Sequence, residues 1–190
     1  IVSVLMPVYN CEKYVFEAVQ SILNQTFIDF ELIVIDDCST DSTVEIVKMF
    51  SDKRIKLIQK PINTGYTNSL NMAILEAKGK YIARMDGDDI ALPERFTKQV
   101  SFLEKNPDII LCGTAVRLLG EKAIWMHPSC NDEIKVKLFF STAFNHPTVM
   151  IKKEVLLVHN YNKDFEPAED YELWTRLVFV GKVANLNEVL

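Results

Sequence analysis

The sequence predicts an α/β fold in which a mostly parallel sheet is flanked by helices. Apolar runs of strand length alternate with segments of helical periodicity through the first half of the chain. A polar loop follows each of these strands, and this short strand–helix–strand spacing is typical of parallel sheets. With 190 residues, 48% of them hydrophobic, the chain is long enough to fold as one domain around a full core.

The first half of the chain is predicted to alternate regularly between strands and helices. Pro7 is expected to end the first strand, because proline cannot continue a central strand. Ser42 and Glu45 fit a capping box at the start of the second helix, and Gly79 is expected to end the third. We predict strands at 1–6, 32–35, 55–59 and 80–85, and helices at 14–23, 42–50 and 67–77.

The second half has a less regular pattern. Leu92 and Pro93 introduce a helical segment, and a further helix is expected to begin near Glu169. The segment that contains Trp125 and His127 has no pattern that assigns it a structure. We predict helices at 92–105 and 132–140, strands at 109–116 and 148–151, and a helix after the last of these strands.

Charge and cysteine content exclude several classes of protein. The net charge is −5 and no basic run occurs, so we do not expect a nucleic-acid partner. The four cysteines lack the spacing of a zinc site and are expected to be reduced thiols in a cytoplasmic protein. No apolar segment reaches 18 residues, so we predict neither a transmembrane segment nor a signal peptide.

An acidic turn follows the strand at 80–85. Asp86, Asp88 and Asp89 come directly after this apolar run, and Gly87 allows a sharp turn between them. Adjacent carboxylates repel one another, and their oxygens are ligands that Mg²⁺ and Mn²⁺ prefer. The turn therefore predicts a site for a divalent cation, and an acidic surface turn that caps the next helix is the alternative.

Polar residues at the ends of several strands are expected to converge. The carboxyl ends of parallel strands meet at one edge of a sheet, where open α/β folds bind their ligands. Tyr9, Asp36 with Asp37, and Asp86 with Asp88 all follow predicted strands. Each alone has a structural explanation, as a packed aromatic or a helix cap, but their convergence favours a ligand site.

Two acids open the last predicted helix. Glu169 and Asp170 lie at its start, where the helix dipole favours negative charge. Capping of the helix is therefore sufficient to explain them from physical chemistry alone.

Taken together, these segments resemble the signature blocks of family 2 glycosyltransferases. The resemblance extends over nearly the whole chain, and His146 with Pro147 resembles a segment common in bacterial members. It implies the GT-A fold and an inverting, metal-dependent transfer of sugar from a nucleotide diphosphate donor. The blocks are LMPVYN at 5–10, VIDDCSTD at 34–41, ARMDGDD at 83–89 and EDYELW at 169–174.

The resemblance also implies a role for individual residues. Asp88 would bind Mn²⁺ or Mg²⁺ directly, Asp86 would lie towards the ribose or the metal's water shell, and Asp170 would be the general base with Glu169 beside it. A UDP-sugar is the expected donor, with dTDP and GDP donors left open. The nucleotide-binding residues implied are Pro7, Tyr9, Asp36, Asp37, Asn63, Gly65, Asn68, Arg84 and Asp86.

The resemblance further implies how the chain is organised and what it acts on. We expect one GT-A domain, with a nucleotide-sugar-binding half at 1–110 and an acceptor and catalytic-base half at 111–190. The acceptor would be a saccharide or lipid-linked saccharide in bacterial surface polysaccharide synthesis, and the location cytoplasmic, with peripheral membrane contact left open. Two alternatives remain: a nucleotidyltransferase, although the loop after the first strand lacks glycine, and a non-catalytic nucleotide-sugar-binding module.

Overall fold

Eight strands form one mixed sheet in the computed structural model, which describes residues 1–190. The spatial order is β3-β2-β1-β4-β7-β5-β6, and β8 also pairs with β5. The strands are β1 (Val2–Val8), β2 (Phe30–Asp36), β3 (Ile55–Gln59), β4 (Tyr81–Arg84), β5 (Ile109–Arg117), β6 (Ile124–Trp125), β7 (Met150–Lys152) and β8 (Lys182–Val189).

The parallel part of the sheet is the part that the sequence predicts most directly. β1 pairs in parallel with β2 and β4, and β2 pairs in parallel with β3. β7 is antiparallel to both β4 and β5, whereas β8 is parallel to β5. The predicted α/β class with a mostly parallel, helix-flanked sheet is therefore confirmed, with an antiparallel strand inserted beyond β4.

Seven helices connect and cover the strands. None of them combines the length and the apolarity that crossing a lipid bilayer requires. They are α1 (Val15–Leu23), α2 (Thr43–Lys48), α3 (Tyr66–Glu76), α4 (Arg95–Lys105), α5 (Asn131–Lys137), α6 (Lys153–Val158) and α7 (Glu169–Leu177).

The two faces of the sheet carry two separate hydrophobic cores. Side chains alternate along each strand, so Leu5 faces one core while Val4 and Met6 face the other. α3 and α7 cover the Leu5 face, and α1 and α4 cover the opposite face. Each core contains residues from both halves of the chain.

Pro7 does not end β1, as the sequence suggested. It lies within the strand and pairs in register with Ile35 of β2. On the other side, β4 pairs with β1 only as far as Leu5, whose carbonyl accepts from Met85 N–H. Alternate residues of a strand bond to the same neighbouring strand, so an N–H at position 7 would point towards β4. Pro7 lies beyond the last residue that pairs with β4, so its missing N–H costs the sheet no hydrogen bond.

Gly79 and Ser42 also have different roles from those predicted. α3 ends at Glu76, and Gly79 is instead required where the chain passes β1, because a Cβ there would lie 2.6 Å from Ser3 N. Ser42 makes no side-chain capping bond, and Asp41 accepts from Thr43 N–H at 3.0 Å in its place. β8 was not predicted, since Asn185, Asn187 and Glu188 interrupt its apolar pattern.

Candidate active site

The loops after β1 and β2 are joined by side-chain hydrogen bonds. Asn10 N–H donates to Ser39 Oγ at 3.0 Å, and the Asn10 side-chain oxygen accepts from Thr40 N–H at 2.8 Å. Asp41 accepts from Glu12 N–H at 3.1 Å. These bonds hold the two loops together at the edge of the sheet where the parallel strands end. Asp41 is part of this loop structure and does not line the hollows described below.

A first hollow of about 170 Å³ opens at the carboxyl end of β1. It lies between the loop after β1 and the start of α3. Tyr9 lies at its edge and is 51% exposed, so part of this side chain is open to contact with a ligand. The lining residues are Pro7, Val8, Tyr9, Asp37, Asn63, Gly65, Tyr66 and Ser69.

Asp37 is the buried acid of the first hollow. Its carboxylate pairs with Lys60 Nζ at 2.5 Å and accepts from Thr64 and Gly65 N–H groups, each at 2.9 Å. Gly65 has φ +92°, a backbone conformation that favours glycine. Three donors leave a carboxylate with acceptor capacity for one further ligand hydrogen.

Two residues expected near a nucleotide line neither this hollow nor the second one described below. Asp36 is buried, and its carboxylate accepts from Ser39 N–H at 3.2 and 3.3 Å, so Asp37 takes the position expected for it. Asn68 donates to Thr64 O at 2.5 Å and faces a separate surface depression. Asn68 lies two residues after Tyr66 on α3, which turns it away from the face that Tyr66 and Ser69 share.

A second hollow of about 370 Å³ adjoins the first, and Tyr66 lines both. It brings together residues from distant parts of the chain: the acidic turn after β4 and the first residues of α7. The lining residues are Tyr66, Arg84, Asp86, His146, Glu166, Pro167, Glu169 and Asp170.

Arg84 is the buried cation of the second hollow. Only 4% of it is exposed, its guanidinium forms an ion pair with Asp86, and it lies 5.2 Å from the centre of the Tyr66 ring. Nε and Nη1 of Arg84 have no hydrogen-bond partner, which is costly for a buried charged group. The positive charge of Arg84 at the wall of this hollow favours an anionic ligand such as phosphate.

The acidic turn has the geometry and chemistry of a cation site. One carboxylate oxygen from each of Asp86, Asp88 and Asp89 lies within 4.8 Å of the others. Burial and the charges of the other two acids raise the pKa of Asp89. Gly87 allows this packing, because a Cβ there would lie 2.9 Å from Val8 Cγ1. An all-carboxylate cluster fits Mg²⁺ or Mn²⁺.

Glu169 and Asp170 lie at the start of α7, as predicted, and both face the second hollow. Burial raises the pKa of Asp170, although Tyr171 N–H, which donates to it at 2.6 Å, and Arg84 act in the opposite direction. Burial also raises the pKa of Glu169, whose Oε2 has no hydrogen-bond partner. A raised pKa makes the Asp170 carboxylate a stronger base than an exposed aspartate.

His146 forms the far wall of the second hollow. Its Nε2 lies 2.8 Å from the Tyr161 hydroxyl, and its ring packs 5.7 Å from that of Trp174. Burial and the nearby Arg84 charge lower the pKa of His146 well below its usual value, so the imidazole is neutral. His146 thus fits a structural role within the wall better than a role in proton transfer.

Several residues of the site escaped the sequence analysis. Arg95 is fully enclosed, and its guanidinium donates to Arg84 O at 2.7 Å, which holds the strand end that carries the acidic turn. Lys60 pairs with Asp37 of the first hollow, and Tyr66 lines the second hollow. Neither residue belongs to a sequence motif. The signal that marks Lys60 and Arg95 is the burial of a charged side chain, and burial cannot be seen in a single sequence.

The cysteines take no part in this site. All four are free thiols. Burial raises the pKa of Cys11 to about 11 and that of Cys112 to about 12. These two thiols are therefore protonated at neutral pH and are poor nucleophiles.

The fold and the site together define a class of protein. A largely parallel sheet with an acidic turn after β4 and a ligand hollow at the strand ends is the GT-A arrangement of glycosyltransferases. The chain belongs to glycosyltransferase family 2: the model described as "Glycosyl transferase family 2" matches residues 3–158.

Curated relatives support this assignment over almost the whole chain. The O-antigen biosynthesis glycosyltransferase WbnJ of Escherichia coli is 38% identical over 190 residues, which cover 93% of this chain and 71% of WbnJ. An uncharacterized glycosyltransferase of Haemophilus influenzae is 38% identical over 206 residues, covering 100% of this chain and 64% of the relative. The chain thus spans about two thirds of the length of these relatives.

Solved structures confirm the fold. S. aureus TarS in complex with UDP superposes with a TM-score of 0.82 at 25% identity, covering 98% of this chain and 58% of that chain. The Pyrobaculum calidifontis mannosyltransferase PcManGT, in complex with GDP-Man and Mn²⁺, has a TM-score of 0.77 at 20% identity, covering 99% and 54%.

Proposed function

We propose that this chain transfers a sugar, with inversion, from a nucleotide diphosphate donor to an acceptor hydroxyl. The observation that carries the proposal is the second hollow, where Arg84, Asp86 and Asp170 face one space. The positive charge of Arg84 suits the diphosphate, and a carboxylate of raised pKa suits proton removal from the acceptor. The two requirements of the reaction therefore meet at one place.

The first hollow is proposed to hold the nucleoside. The exposed Tyr9 ring stacks on the base, and Asp37 uses its remaining acceptor capacity for a base N–H or a ribose hydroxyl. Pro7, Asn63 and Gly65 shape the walls. UDP is the proposed nucleotide, and support comes from the UDP complex of TarS, the similar structure at 25% identity.

A divalent cation is proposed at the acidic turn. Asp88 would bind Mn²⁺ or Mg²⁺ directly, and Asp86 would contact the ribose or the metal's water shell. When bound, the cation would neutralise the charge that develops on the leaving diphosphate. Arg84 pairs with Asp86 and places a buried positive charge beside the space proposed for the diphosphate.

Asp170 is proposed as the general base. The acceptor oxygen bonds to the anomeric carbon while the bond from that carbon to the diphosphate oxygen breaks. The acceptor proton passes to Asp170, and the electron pair of the broken bond leaves with the nucleotide. One base is sufficient for such a single displacement, which inverts the anomeric centre. Glu169, beside Asp170, would contact the acceptor.

The chain is proposed to divide these tasks between residues 1–110, which bind the donor, and residues 111–190, which carry the base and receive the acceptor. A saccharide or lipid-linked saccharide is the proposed acceptor, in synthesis of a bacterial surface polysaccharide. The relative WbnJ, named for O-antigen biosynthesis, supports this process. We propose a cytoplasmic location for this work, with contact at the inner face of the membrane left open.

A donor screen followed by product analysis tests the proposal. Nucleoside diphosphates and sugar nucleotides with Mn²⁺ are compared by thermal shift, and the best donor is then assayed for release of nucleoside diphosphate. If nucleoside diphosphate is released by the wild-type chain and not by Asp170→Asn, the result supports a transferase. Pyrophosphate release from UTP and a sugar 1-phosphate would indicate a nucleotidyltransferase instead. Binding without any turnover would indicate a non-catalytic module.

A further inference from the structure

Two polar side chains, Arg95 and Gln99, lie on the buried face of α4, one helical turn apart. Burial and the Arg84 charge lower the pKa of Arg95 to about 10, so its guanidinium stays charged at neutral pH. All of its hydrogen-bond partners are neutral groups. A buried charge without a paired counter-ion is costly, so the bonds that this guanidinium makes must offset a large cost.

Arg95 contacts the two residues that precede the acidic turn. Its Nη2 donates to Arg84 O at 2.7 Å, and its Nη1 lies 3.5 Å from Met85 Sδ. Its Nε donates to Gln99 Oε1 at 3.1 Å, which fixes the orientation of the guanidinium plane. Because Asp86 follows Met85 directly, Arg95 holds the backbone from which the acidic turn begins.

Gln99 contacts the segment that carries the far wall of the second hollow. Its Nε2 donates to Thr148 O at 2.8 Å and to Cys112 O at 3.2 Å. Thr148 Oγ1 donates in turn to Asn145 O at 2.8 Å, which closes the short segment 145–148 around His146. A continuous line of hydrogen bonds therefore joins the start of the acidic turn to this segment.

This line of bonds lies where β4 and β7 diverge. The last backbone bond between the two strands runs from Arg84 N–H to Val149 O at 3.0 Å. The neighbouring carbonyls, Arg84 O and Thr148 O, accept from Arg95 and Gln99 respectively. The two side chains thus continue a connection that the sheet ladder no longer provides.

We propose that Arg95 and Gln99 are positioning residues for the cation site, and that together they form a buried strut between the acidic turn and segment 145–148. The carboxylates of the turn repel one another, and within it Asp89 N–H reaches Asp86 O only at 3.5 Å. A buried polar network whose members are satisfied is rigid and can supply the missing support. Neither strut residue lines the first or the second hollow.

This inference rests on the proposed function, because it takes the acidic turn to be the cation site. It makes a prediction whose sign separates geometry from charge. The charge of Arg95 repels a cation, so if charge dominated, Arg95→Met would bind Mn²⁺ more tightly. The strut predicts weaker binding, and it predicts the same loss for Arg95→Lys, which keeps the charge but not the paired hydrogen bonds.

Hydrogen exchange is the first test and needs no ligand. In Gln99→Leu, the amides of residues 84–90 and of residues 144–149 should exchange faster, and both segments should change together. Gln25→Leu is the matched control: Gln25 is also buried and also bridges to α4, by donating to Leu92 O and accepting from Phe96 N–H. Unchanged exchange in either segment of Gln99→Leu, or equal changes in the control, would overturn the strut.

Calorimetric titration of UDP with and without Mn²⁺ is the second test. We expect Gln99→Leu and Arg95→Lys each to reduce the enhancement of UDP affinity by Mn²⁺ by about tenfold or more, the usual effect of losing an outer partner of a metal site. UDP affinity after EDTA treatment should stay at the wild-type value, and Gln25→Leu should keep the full enhancement. The double variant should lose no more than the larger single loss, because both residues act through one strut.

The two proposals fail in different ways. If the wild-type chain shows no Mn²⁺ enhancement while the two segments still respond together to Gln99→Leu, the proposed cation site is wrong and the strut remains. If the wild-type enhancement persists in Gln99→Leu and Arg95→Lys, the cation site stands and this positioning role is wrong. Tighter Mn²⁺ binding in Arg95→Met would also contradict it.

Discussion

Asp86 and Asp170 face the same hollow, although one follows β4 and the other opens the last helix of the chain. Buried Arg84 lies with them: it pairs with Asp86, and its charge lowers the pKa of Asp170 against the larger effect of burial. The fold itself thus holds these acids at one place. Each acid can therefore be tested separately by substitution.

Asp170→Asn is expected to reduce sugar transfer by about 10²–10⁴-fold, the usual contribution of a positioned general base. The amide keeps the shape of the side chain but cannot accept the acceptor proton. UDP affinity should remain at the wild-type value. Transfer assays and calorimetry check both statements, with Asp164→Asn, an exposed acid outside the hollows, as the control. Wild-type transfer in Asp170→Asn would exclude it as the base.

Asp88→Ala is expected to abolish the dependence of UDP binding on Mn²⁺. The wild-type chain should bind UDP more weakly after EDTA treatment, because the acidic turn then repels the diphosphate. In Asp88→Ala, addition of Mn²⁺ should make little difference. Calorimetric titrations with and without Mn²⁺ measure this, with Asp132→Ala as the control for an exposed acid. A wild-type Mn²⁺ response in Asp88→Ala would exclude Asp88 as a ligand.

The pH dependence of transfer follows from the raised pKa of Asp170. The base acts only when deprotonated, so the rate should be low in acid and should rise through a pKa above the ordinary aspartate value of about 4. A pH–rate profile under donor saturation measures this pKa. An acidic limb at or below the ordinary aspartate value would contradict the predicted environment of Asp170.

The stability of the fold should also depend on pH through Glu169. Burial raises the pKa of Glu169, so the folded state binds its proton more tightly than the unfolded state does. Its stabilising contribution is present below the unfolded pKa and is lost as pH rises through the folded pKa. Glu169→Gln should therefore unfold at higher urea concentration than the wild type at pH 8, and the difference should shrink at pH 4. A less stable Glu169→Gln at pH 8 would contradict this.

The position of the site at the ends of β1, β2 and β4 could be predicted from the sequence, because strand ends are easy to identify. The runs before Asp36 and Asp86 are short and apolar, and the topology of a parallel sheet then requires their ends to meet. Which side chain faces the hollow was harder to predict. Asp36 and Asp37 are adjacent, and the Ser39 N–H bond to Asp36 leaves Asp37 as the one that lines the first hollow.

The parts that sequence could not supply depend on long-range packing. Tyr66 joins two hollows only because α3 lies beside the second half of the chain, a contact without a local pattern. Asn68 lines a different depression because the start of α3 determines which face of the helix each residue occupies. Strand β8 has a polar sequence and forms because β5 offers a free edge beside it.

The buried pair of Asp37 and Lys60 yields a prediction about stability. Lys60→Met leaves the Asp37 charge buried with only its two backbone donors, and loss of one partner of a buried ion pair costs about 3–5 kcal/mol. The free energy of unfolding from urea titration measures the loss. Lys56→Met, which breaks an exposed pair with Glu76, is the control and should cost far less. Equal losses would contradict the buried role of Lys60.

The proposed function requires acids from distant parts of the chain to surround one cation and one nucleotide diphosphate. A crystal structure with UDP and Mn²⁺, in which anomalous diffraction locates the metal, is the decisive experiment. We expect an anomalous peak within bonding distance of an Asp88 oxygen, the uracil ring on Tyr9, and the diphosphate facing Arg84 and Asp170. Manganese away from the acidic turn, or UDP bound outside the first two hollows, would contradict it.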